Sequence, residues 1–321
     1  MRILVTGGAG YIGSTAVAIL LERGYEVSVL DDCSTGHRDA VSSEATFFSS
    51  SILDEELVAQ ALVGCDAVIH FAAKSIVGES VEKPDLYNEV NVNGTRILLQ
   101  QMAKAGIEKL VFSSTAATYG EPDAIPISED AATKPTSPYG LTKLAVDEMI
   151  SLEAKSGLAA ISLRYFNVAG ALETKSGWLT ERHSPETHLI PNLLRATPEN
   201  PLKVFGNDWP TQDGTCIRDY VHVVDLIDAH IFALEKLESG SHKIINLGSG
   251  GGYSVNQVIT ATAEVLGRDI PVKISERRAG DPAVLIADIS KAKAILGWVP
   301  SRKIEAMVGD TWRSQNASAG K

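Results

Sequence analysis

A short apolar strand that runs directly into a glycine-rich turn is the feature that most constrains how this chain can fold. The apolar run at positions 2–6 is followed by glycines at three-residue intervals, namely Gly7, Gly10 and Gly13. Such a turn brings backbone N–H groups and the positive end of a helix against a pyrophosphate. Asp31 lies 18 residues beyond the last of these glycines, where a carboxylate can bond an adenosine ribose. Because an acid there accepts a 2′-hydroxyl and repels a 2′-phosphate, we predict a dinucleotide site that takes NAD rather than NADP.

The first half of the chain alternates short apolar runs with stretches of helical spacing. Two short apolar runs with β-branched residues are typical of strands buried on both faces, and they lie at residues 67–71 and 110–113. A further strand-like run follows at residues 159–166. Residues 92–105 and 139–154 lie between them and carry apolar side chains at helical intervals. Repeated β-α-β units predict an α/β fold of the Rossmann type, with a doubly wound parallel sheet and right-handed crossovers.

The composition and the hydrophobic pattern of the sequence change past the middle of the chain. Residues 171–220 are rich in proline and polar residues, whereas residues 221–248 contain a helix-like and a strand-like run that we expect to return to the sheet. We predict that residues 1–170 form an NAD-binding domain and that residues 171–321 form a smaller, mixed C-terminal substrate domain. Residues 315–321 are predicted to be a frayed polar tail.

Composition narrows the class of protein. The 321 residues are 44% hydrophobic and 21% charged, and a net charge of −11 argues against nucleic-acid binding and adhesion to anionic membranes. The three cysteines, Cys33, Cys65 and Cys216, are widely spaced and form no C-x-x-C pair, so we predict neither disulfides nor a metal site. No apolar run approaches the roughly 18–20 residues of a membrane span, and the first strand leaves no room for a signal peptide. We expect a cytoplasmic location.

A tyrosine and a lysine four residues apart form a candidate catalytic pair. Tyr139 and Lys143 stand at the start of a predicted helix and therefore on one face of it. A free tyrosine, with a pKa of about 10, is a poor base at neutral pH. A lysine ammonium one turn away, together with the positive nicotinamide ring, favours the phenolate and lowers that pKa. Thr115 follows a strand near the predicted nicotinamide position, and its hydroxyl can hold a substrate oxygen in line.

These motifs resemble those of the UDP-glucose 4-epimerases, a family of the extended short-chain dehydrogenase/reductase superfamily. The similarity covers nearly the whole chain, and its most specific segments are Asp213-Gly-Thr-Cys-Ile-Arg-Asp-Tyr-Val-His-Val-Val-Asp225 and Arg277-Arg-Ala-Gly-Asp281. The resemblance implies interconversion of UDP-galactose and UDP-glucose with tightly held NAD. Tyr139 would take the proton of the sugar 4-hydroxyl, and the 4-keto sugar, anchored through UDP, would turn and receive the hydride on its other face.

The resemblance also assigns residues to a cofactor set and a substrate set. By this resemblance, Arg218 and Arg278 would pair with the diphosphate, and Asp281 would accept a hydrogen bond from the uridine ribose. The NAD set comprises Gly7, Gly10, Tyr11, Ile12, Gly13, Asp31, Ser34, Thr35, Gly36, Ser51, Ile52, Phe71, Ala72, Ala73, Tyr139, Lys143 and Phe166. The substrate set comprises Thr115, Tyr139, Asn167, His188, Leu189, Val204, Phe205, Arg218, Tyr220, Arg278, Asp281 and Leu285.

Several positions depart from the family pattern or admit a simpler interpretation. Ser51 replaces an aspartate at the adenine, and Ser75 stands where some members have a lysine, with Lys74 one residue early. Leu285 aligns with the wall beside the sugar 2-position, where a leucine leaves more room than a tyrosine, although it could equally be a core leucine. An ordinary surface ion pair between Arg218 and its neighbour Asp219 is the simpler alternative to phosphate binding.

Three other functions remain open at this stage. A sugar-nucleotide 4,6-dehydratase would need an acid pair after Thr115, where this chain has Ala116 and Ala117. A non-catalytic NAD-binding regulator would have no use for the Tyr/Lys pair. Another UDP-sugar 4-epimerase, acting on UDP-N-acetylglucosamine or UDP-glucuronate, is the nearest alternative.

By resemblance, the helices at 92–105 and 139–154 pair across a two-fold axis in a homodimer.

Overall fold

A computed structural model describes residues 1–278 and 281–319. The strands are β1 (Arg2–Thr6), β2 (Glu26–Asp31), β3 (Thr46–Ser49), β4 (Ala67–His70), β5 (Lys109–Thr115), β6 (Ala159–Tyr165), β7 (Asn167–Ala169), β8 (Leu172–Thr174), β9 (Gly177–Leu179), β10 (Leu202–Phe205), β11 (Ile217–Arg218), β12 (Tyr220–His222), β13 (His242–Leu247), β14 (Tyr253–Ser254), β15 (Val272–Ser275) and β16 (Val284–Leu285). The helices are α1 (Tyr11–Glu22), α2 (Glu55–Leu62), α3 (Val77–Glu82), α4 (Pro84–Tyr87), α5 (Gly94–Ala105), α6 (Pro138–Ala154), α7 (Leu189–Leu194), α8 (Val223–Glu235), α9 (Val255–Leu266), α10 (Ser290–Leu296) and α11 (Ile304–Ala319).

A parallel sheet of seven strands forms the centre of the molecule, in the order β13-β6-β5-β4-β1-β2-β3. All of its neighbouring strands pair in parallel. The order reverses between β1 and β4, which is the switch point at which open α/β sheets bind their ligands. The predicted Rossmann-type, doubly wound sheet is therefore confirmed. Strand β13 pairs with β6, so the segment at 221–248 does return to this sheet.

Side chains of successive strand residues point to opposite faces of the sheet, and each face has its own helical layer. Ile3 and Val5 pack with α1, α8 and α10, whereas Leu4 packs with α2, α5 and α6. Both faces of the sheet pack against a largely apolar layer, which explains why these strands have near-continuous hydrophobic runs instead of alternating ones. Among the described residues, no helix combines the length and the apolarity that crossing a bilayer requires.

A smaller apolar core lies outside the sheet. Residues of α7, α9 and α11 pack there against β10, which pairs in parallel with β15. Strand β11 lies between β14 and β16, and β12 pairs with β7, which follows directly from the large sheet. These short strands place the C-terminal residues over the carboxyl ends of the sheet.

Two sequence-based boundaries differ from the structure. A π-helical turn at Asn88–Asn93 precedes α5, so the predicted helix at 92–105 begins within this turn. The predicted polar tail at 315–321 is wrong as far as Ala319, because α11 continues to that residue. Buried Ser314 contacts Thr180 there, and such tertiary contacts hold a segment whose composition alone does not predict a helix. Residues 320–321 lie outside the described residues.

Candidate active site

The turn after β1 has no room for side chains at two of its glycines. Gly7 has φ +72°, and a Cβ there would lie 2.6 Å from the Ala72 backbone nitrogen. A Cβ on Gly13 would overlap the Gly7 carbonyl oxygen. Both positions therefore require glycine. The turn leads into α1, whose N-cap, Gly10, offers no side chain and whose first turn carries no acid. Its free N–H groups form a site suited to an anion.

This turn opens into a cavity of about 350 Å³ at the carboxyl ends of the central strands. Every residue of the predicted NAD set lines it. These residues fit NAD. The uncapped start of α1 and the close-packed glycines suit its pyrophosphate, and Asp31, at the end of β2, suits its ribose. Four members of the predicted substrate set also line this cavity: Thr115, Tyr139, Asn167 and His188.

Asp31 is fixed at the end of β2 by backbone hydrogen bonds. Its carboxylate accepts the Ala9 N–H at 2.9 Å and the Cys33 N–H at 2.7 Å. Burial raises the pKa of Asp31, and the nearby Lys74 ammonium opposes that rise. The Lys74 Nζ donates to the Ser34 Oγ at 3.1 Å, so this cation stands near the acid that would hold the ribose.

The first turn of α6 places Tyr139 beside Thr115. Ser137 caps the helix by accepting the Gly140 N–H at 3.2 Å, and Pro138 occupies its first position. A Cβ on Gly140 would lie 2.6 Å from the Ala117 carbonyl oxygen, so the helix start packs directly on the segment that follows β5. The Tyr139 and Thr115 side chains consequently line the same cavity.

Burial raises the pKa of Tyr139 to about 12, and the neighbouring Thr115 only reduces that rise. The lowering expected from Lys143 together with the nicotinamide ring stays a prediction for the complex. The Lys143 Nζ donates to the Ser113 carbonyl oxygen at 2.7 Å. Burial lowers the pKa of Lys143 to about 8, and Asp147 opposes the decrease. The lysine is thus held in the cavity wall, and with a pKa of about 8 it is still mostly protonated at neutral pH.

The simpler interpretation of Arg218 and Asp219 as a surface ion pair is wrong. Asp219 is fully buried, and its carboxylate accepts the backbone N–H groups of Ala287 at 3.0 Å and Gly250 at 3.1 Å. The Arg218 guanidinium lies instead 3.7 Å from the Asp281 carboxylate. Asp219 therefore ties together the segments around Arg218.

The residues of the predicted substrate set lie in four places, the first of which is the large cavity described above. Leu189 and Tyr220 line a smaller cavity of about 50 Å³, which Asn167 and His188 share with the large one. Neither cavity is lined by the residues of a separate group on and beside the C-terminal strands, namely Phe205, Arg218, Arg278, Asp281 and Leu285. In that group the Arg278 guanidinium stacks 3.9 Å from the Phe205 ring centroid, and Arg218 pairs with Leu285 across β11 and β16. The Val204 side chain is buried in the smaller core, so it cannot contact a substrate directly.

Two further histidines, His70 and His222, are both buried. His70 lies between the hydroxyls of Thr6, at 2.6 Å, and Thr95, at 2.9 Å. Burial lowers its pKa to about 3, so the ring is neutral at physiological pH. His222 caps α8 by accepting the Val224 N–H at 3.1 Å. Neither ring lines the large cavity.

Several cavity residues were missed by sequence reasoning. Ser113 and Tyr165, whose side chains bond each other, line the cavity from β5 and β6. The alternation of β6 could have predicted Tyr165, which ends the same strand as the buried Arg164. Glu181 and His183 also line the cavity, but they lie in a polar, proline-containing segment that gives no periodic signal.

Known proteins resemble this chain over nearly all of its length. The model of the NAD dependent epimerase/dehydratase family matches residues 3–248. A UDP-glucose 4-epimerase of Corynebacterium glutamicum is 51% identical, over 99% of this chain and 96% of that protein. The structure of a UDP-glucose 4-epimerase of Stenotrophomonas maltophila, with bound NAD and formylated UDP-arabinopyranose, has a TM-score of 0.94 at 37% identity, covering 100% of this chain and 99% of the other. One from Brucella ovis, in complex with NAD, has a TM-score of 0.92 at 41% identity, with 97% of each chain covered.

The geometry and the comparisons agree. The glycine turn, the acid after β2 and the Tyr139–Thr115 pair meet in one cavity at the switch point of the sheet. The family model covers well over half of the chain, and it begins within β1 and ends just past β13. This chain belongs to the NAD-dependent epimerase/dehydratase family.

Proposed function

We propose that this chain is a UDP-glucose 4-epimerase that interconverts UDP-galactose and UDP-glucose with NAD held in the large cavity. The observation that carries the proposal is that Tyr139 and Thr115 line one cavity together with a glycine cradle suited to a dinucleotide. The names of relatives that are up to 51% identical over nearly full length support the same reaction.

Tyr139 is the group that moves a proton at the sugar 4-oxygen. When bound, NAD⁺ supplies the hydride acceptor and a positively charged ring. The tyrosine, with a pKa of about 12 in the protein alone, becomes a base only when positive charge enters its surroundings. Thr115 holds the phenol oxygen and the substrate oxygen in one line. Because Ala116 and Ala117 follow it, no acid is present there to expel a hydroxyl, which argues against a dehydratase.

The UDP part of the substrate would be held by the group on the C-terminal strands. Arg218 is only 15% exposed at its side chain and contacts a carboxylate, Asp281, across a long 3.7 Å distance that a phosphate could replace. Asn167 connects this group to the large cavity, since its side chain donates to the Asp219 carbonyl oxygen at 2.9 Å and it lines the cavity. A sugar tethered through UDP alone is free to turn between its two faces.

The proposed assembly is a homodimer through α5 and α6. Support comes from apolar side chains that α6 leaves exposed, since Leu141 is 55% and Leu152 is 62% accessible. They lie on one stripe of the helix, as an intermolecular four-helix bundle requires. The three unpaired cysteines support a reducing compartment such as the cytoplasm.

The decisive experiment is NMR of UDP-galactose incubated with the purified protein and no added cofactor. We expect UDP-glucose to form and the hydrogen at C4 to be retained even in deuterated water, because it moves as hydride. Deuterium incorporation at C4 would contradict the mechanism and indicate proton abstraction from carbon. Tyr139→Phe protein, treated identically, is the control for contaminating epimerase.

A further inference from the structure

Four side chains with metal-binding chemistry converge in the segment between β9 and α7. Glu181, His183, Glu186 and His188 follow the pattern E-x-H-x-x-E-x-H. One potential ligand atom from each lies within 4.8 Å of all the others. Two imidazole nitrogens and two carboxylate oxygens are a donor set that suits zinc and related divalent transition metals.

The contacts within this cluster converge on Glu181. Its Oε1 lies 2.9 Å from the Nδ1 of His183 and 2.8 Å from the Nδ1 of His188. The same His188 nitrogen lies 3.3 Å from Glu186 Oε1. Both rings therefore direct Nδ1 at the Glu181 carboxylate, and the Nδ1 of His188 lies between this carboxylate and that of Glu186.

Glu186 supplies an independent observation. Its side chain is only 3% exposed, and its Oε1 already accepts the backbone N–H groups of Thr187 at 2.8 Å and His188 at 2.9 Å. The other oxygen, Oε2, is buried without a hydrogen-bond partner. An unpartnered buried carboxylate oxygen is costly, and a cation is the partner that satisfies it best.

Charge balance leads to the same conclusion. Glu181 is only 7% exposed at its side chain, so two carboxylates are buried together. They can be neutralised by two protonated histidines or by one divalent cation with both rings neutral. Only the cation also gives the free Glu186 oxygen a partner.

We propose that Glu181, His183, Glu186 and His188 bind one divalent metal ion of the zinc class. Four protein ligands complete a tetrahedral shell, which is the arrangement of a structural site and not of a catalytic one. Glu181, His183 and His188 also line the large cavity, so the ion fixes part of the wall of that cavity. The proposal does not depend on the reaction that the cavity supports.

The test is metal binding by the purified protein with its own nucleotide retained. The protein is treated with a chelator, dialysed and titrated with Co²⁺, because the visible absorption of this ion reports a tetrahedral site of nitrogen and oxygen ligands. Zn²⁺ is then added to displace the Co²⁺. The metal content of the protein is measured by mass spectrometry. We expect saturation at one ion per chain. Glu186→Gln and His183→Ala should each weaken Co²⁺ binding by more than about tenfold, since even losing an outer partner costs a site that much.

His37→Ala is the matched control, because it removes an exposed imidazole outside the cluster and should leave one ion per chain. Thermal unfolding of each variant separates lost binding from lost folding. His183 is 29% exposed at its side chain and Glu186 is 3% exposed, so we expect the histidine substitution to disturb the fold less. Unsaturable binding, or saturable binding that both cluster variants retain, would overturn the proposal and leave a cluster of histidine–carboxylate ion pairs. Epimerase turnover is measured separately, so a failure of the proposed reaction does not alter this result.

Discussion

The side chain of Lys143 donates its hydrogen bond to the carbonyl oxygen of Ser113, 2.7 Å away, at the end of the strand that also carries Thr115. The ammonium is therefore anchored to the sheet and is only 3% exposed. The effect of this buried lysine on the free energy of unfolding and its effect on turnover can be measured separately.

Lys143→Met should change how stability depends on pH. The pKa of Lys143 is lowered from 10.5 to about 8 by burial, so between about pH 8 and pH 10 the unfolded chain binds the proton that the folded chain has lost. Stability then rises with pH in this window, by up to about 1.4 kcal/mol per pH unit. Urea unfolding at several pH values should show this slope in the parent and not in the variant. Lys155→Met, at the exposed end of the same helix, should keep the slope.

Lys143→Met should also reduce turnover and move the pH optimum upward, because the cavity loses its fixed cation. A variant whose pH–rate profile matches that of the parent would show that the lysine does not assist Tyr139 in the complex.

Tyr139→Phe should abolish turnover and leave nucleotide binding intact. General-base groups contribute about 10² to 10⁴ in rate, and the phenol oxygen is the only atom removed. UDP affinity, measured by calorimetry, should stay within about twofold of the parent, since the ring still fills its position. Retained turnover would assign the proton transfer to another group.

Gly13→Ala should destroy the dinucleotide site and lower stability. The new methyl group would overlap the Gly7 carbonyl oxygen, so the turn must open, at a cost of about 2–4 kcal/mol. The nucleotide content of the purified variant, read from its absorbance after denaturation, should fall. Gly78→Ala is the control, because nothing lies within 4 Å of its Cβ position and alanine is the better helix former. A Gly13→Ala protein that carries its full nucleotide would contradict the packing described for this turn.

Leu285→Tyr distinguishes two interpretations of that leucine. Leu285 packs against an apolar cluster that includes Phe166, a residue that also lines the large cavity. If its side chain borders the sugar, we expect a tyrosine to depress kcat/KM for UDP-N-acetylglucosamine more than for UDP-glucose, since exclusion acts on the larger ligand. An unchanged ratio would make Leu285 a core residue.

Much of the fold was predictable because local signals and tertiary structure agree. Apolar runs gave the strands of the large sheet, and the glycine spacing gave the turn before α1. The cofactor residues followed from family motifs, and all of them line one cavity. The direction of the Lys143 side chain was not predictable, because it depends on the carbonyl that β5 presents across the sheet. The cluster at 181–188 was missed because its side chains meet only through the path of an irregular segment.

The tight contact between Gly140 and the Ala117 carbonyl has a consequence for where specificity is set. Tyr139, the proposed base, enters the cavity from a helix start that packs on the segment after β5, so its position cannot shift without disrupting that helix start. Differences in substrate preference are then expected from the residues proposed to hold UDP. Several of these lie on or beside the two-residue strands β11 and β16, outside the large cavity. The protein thus separates a rigidly packed chemical apparatus from a recognition surface that is carried by short strands and loops.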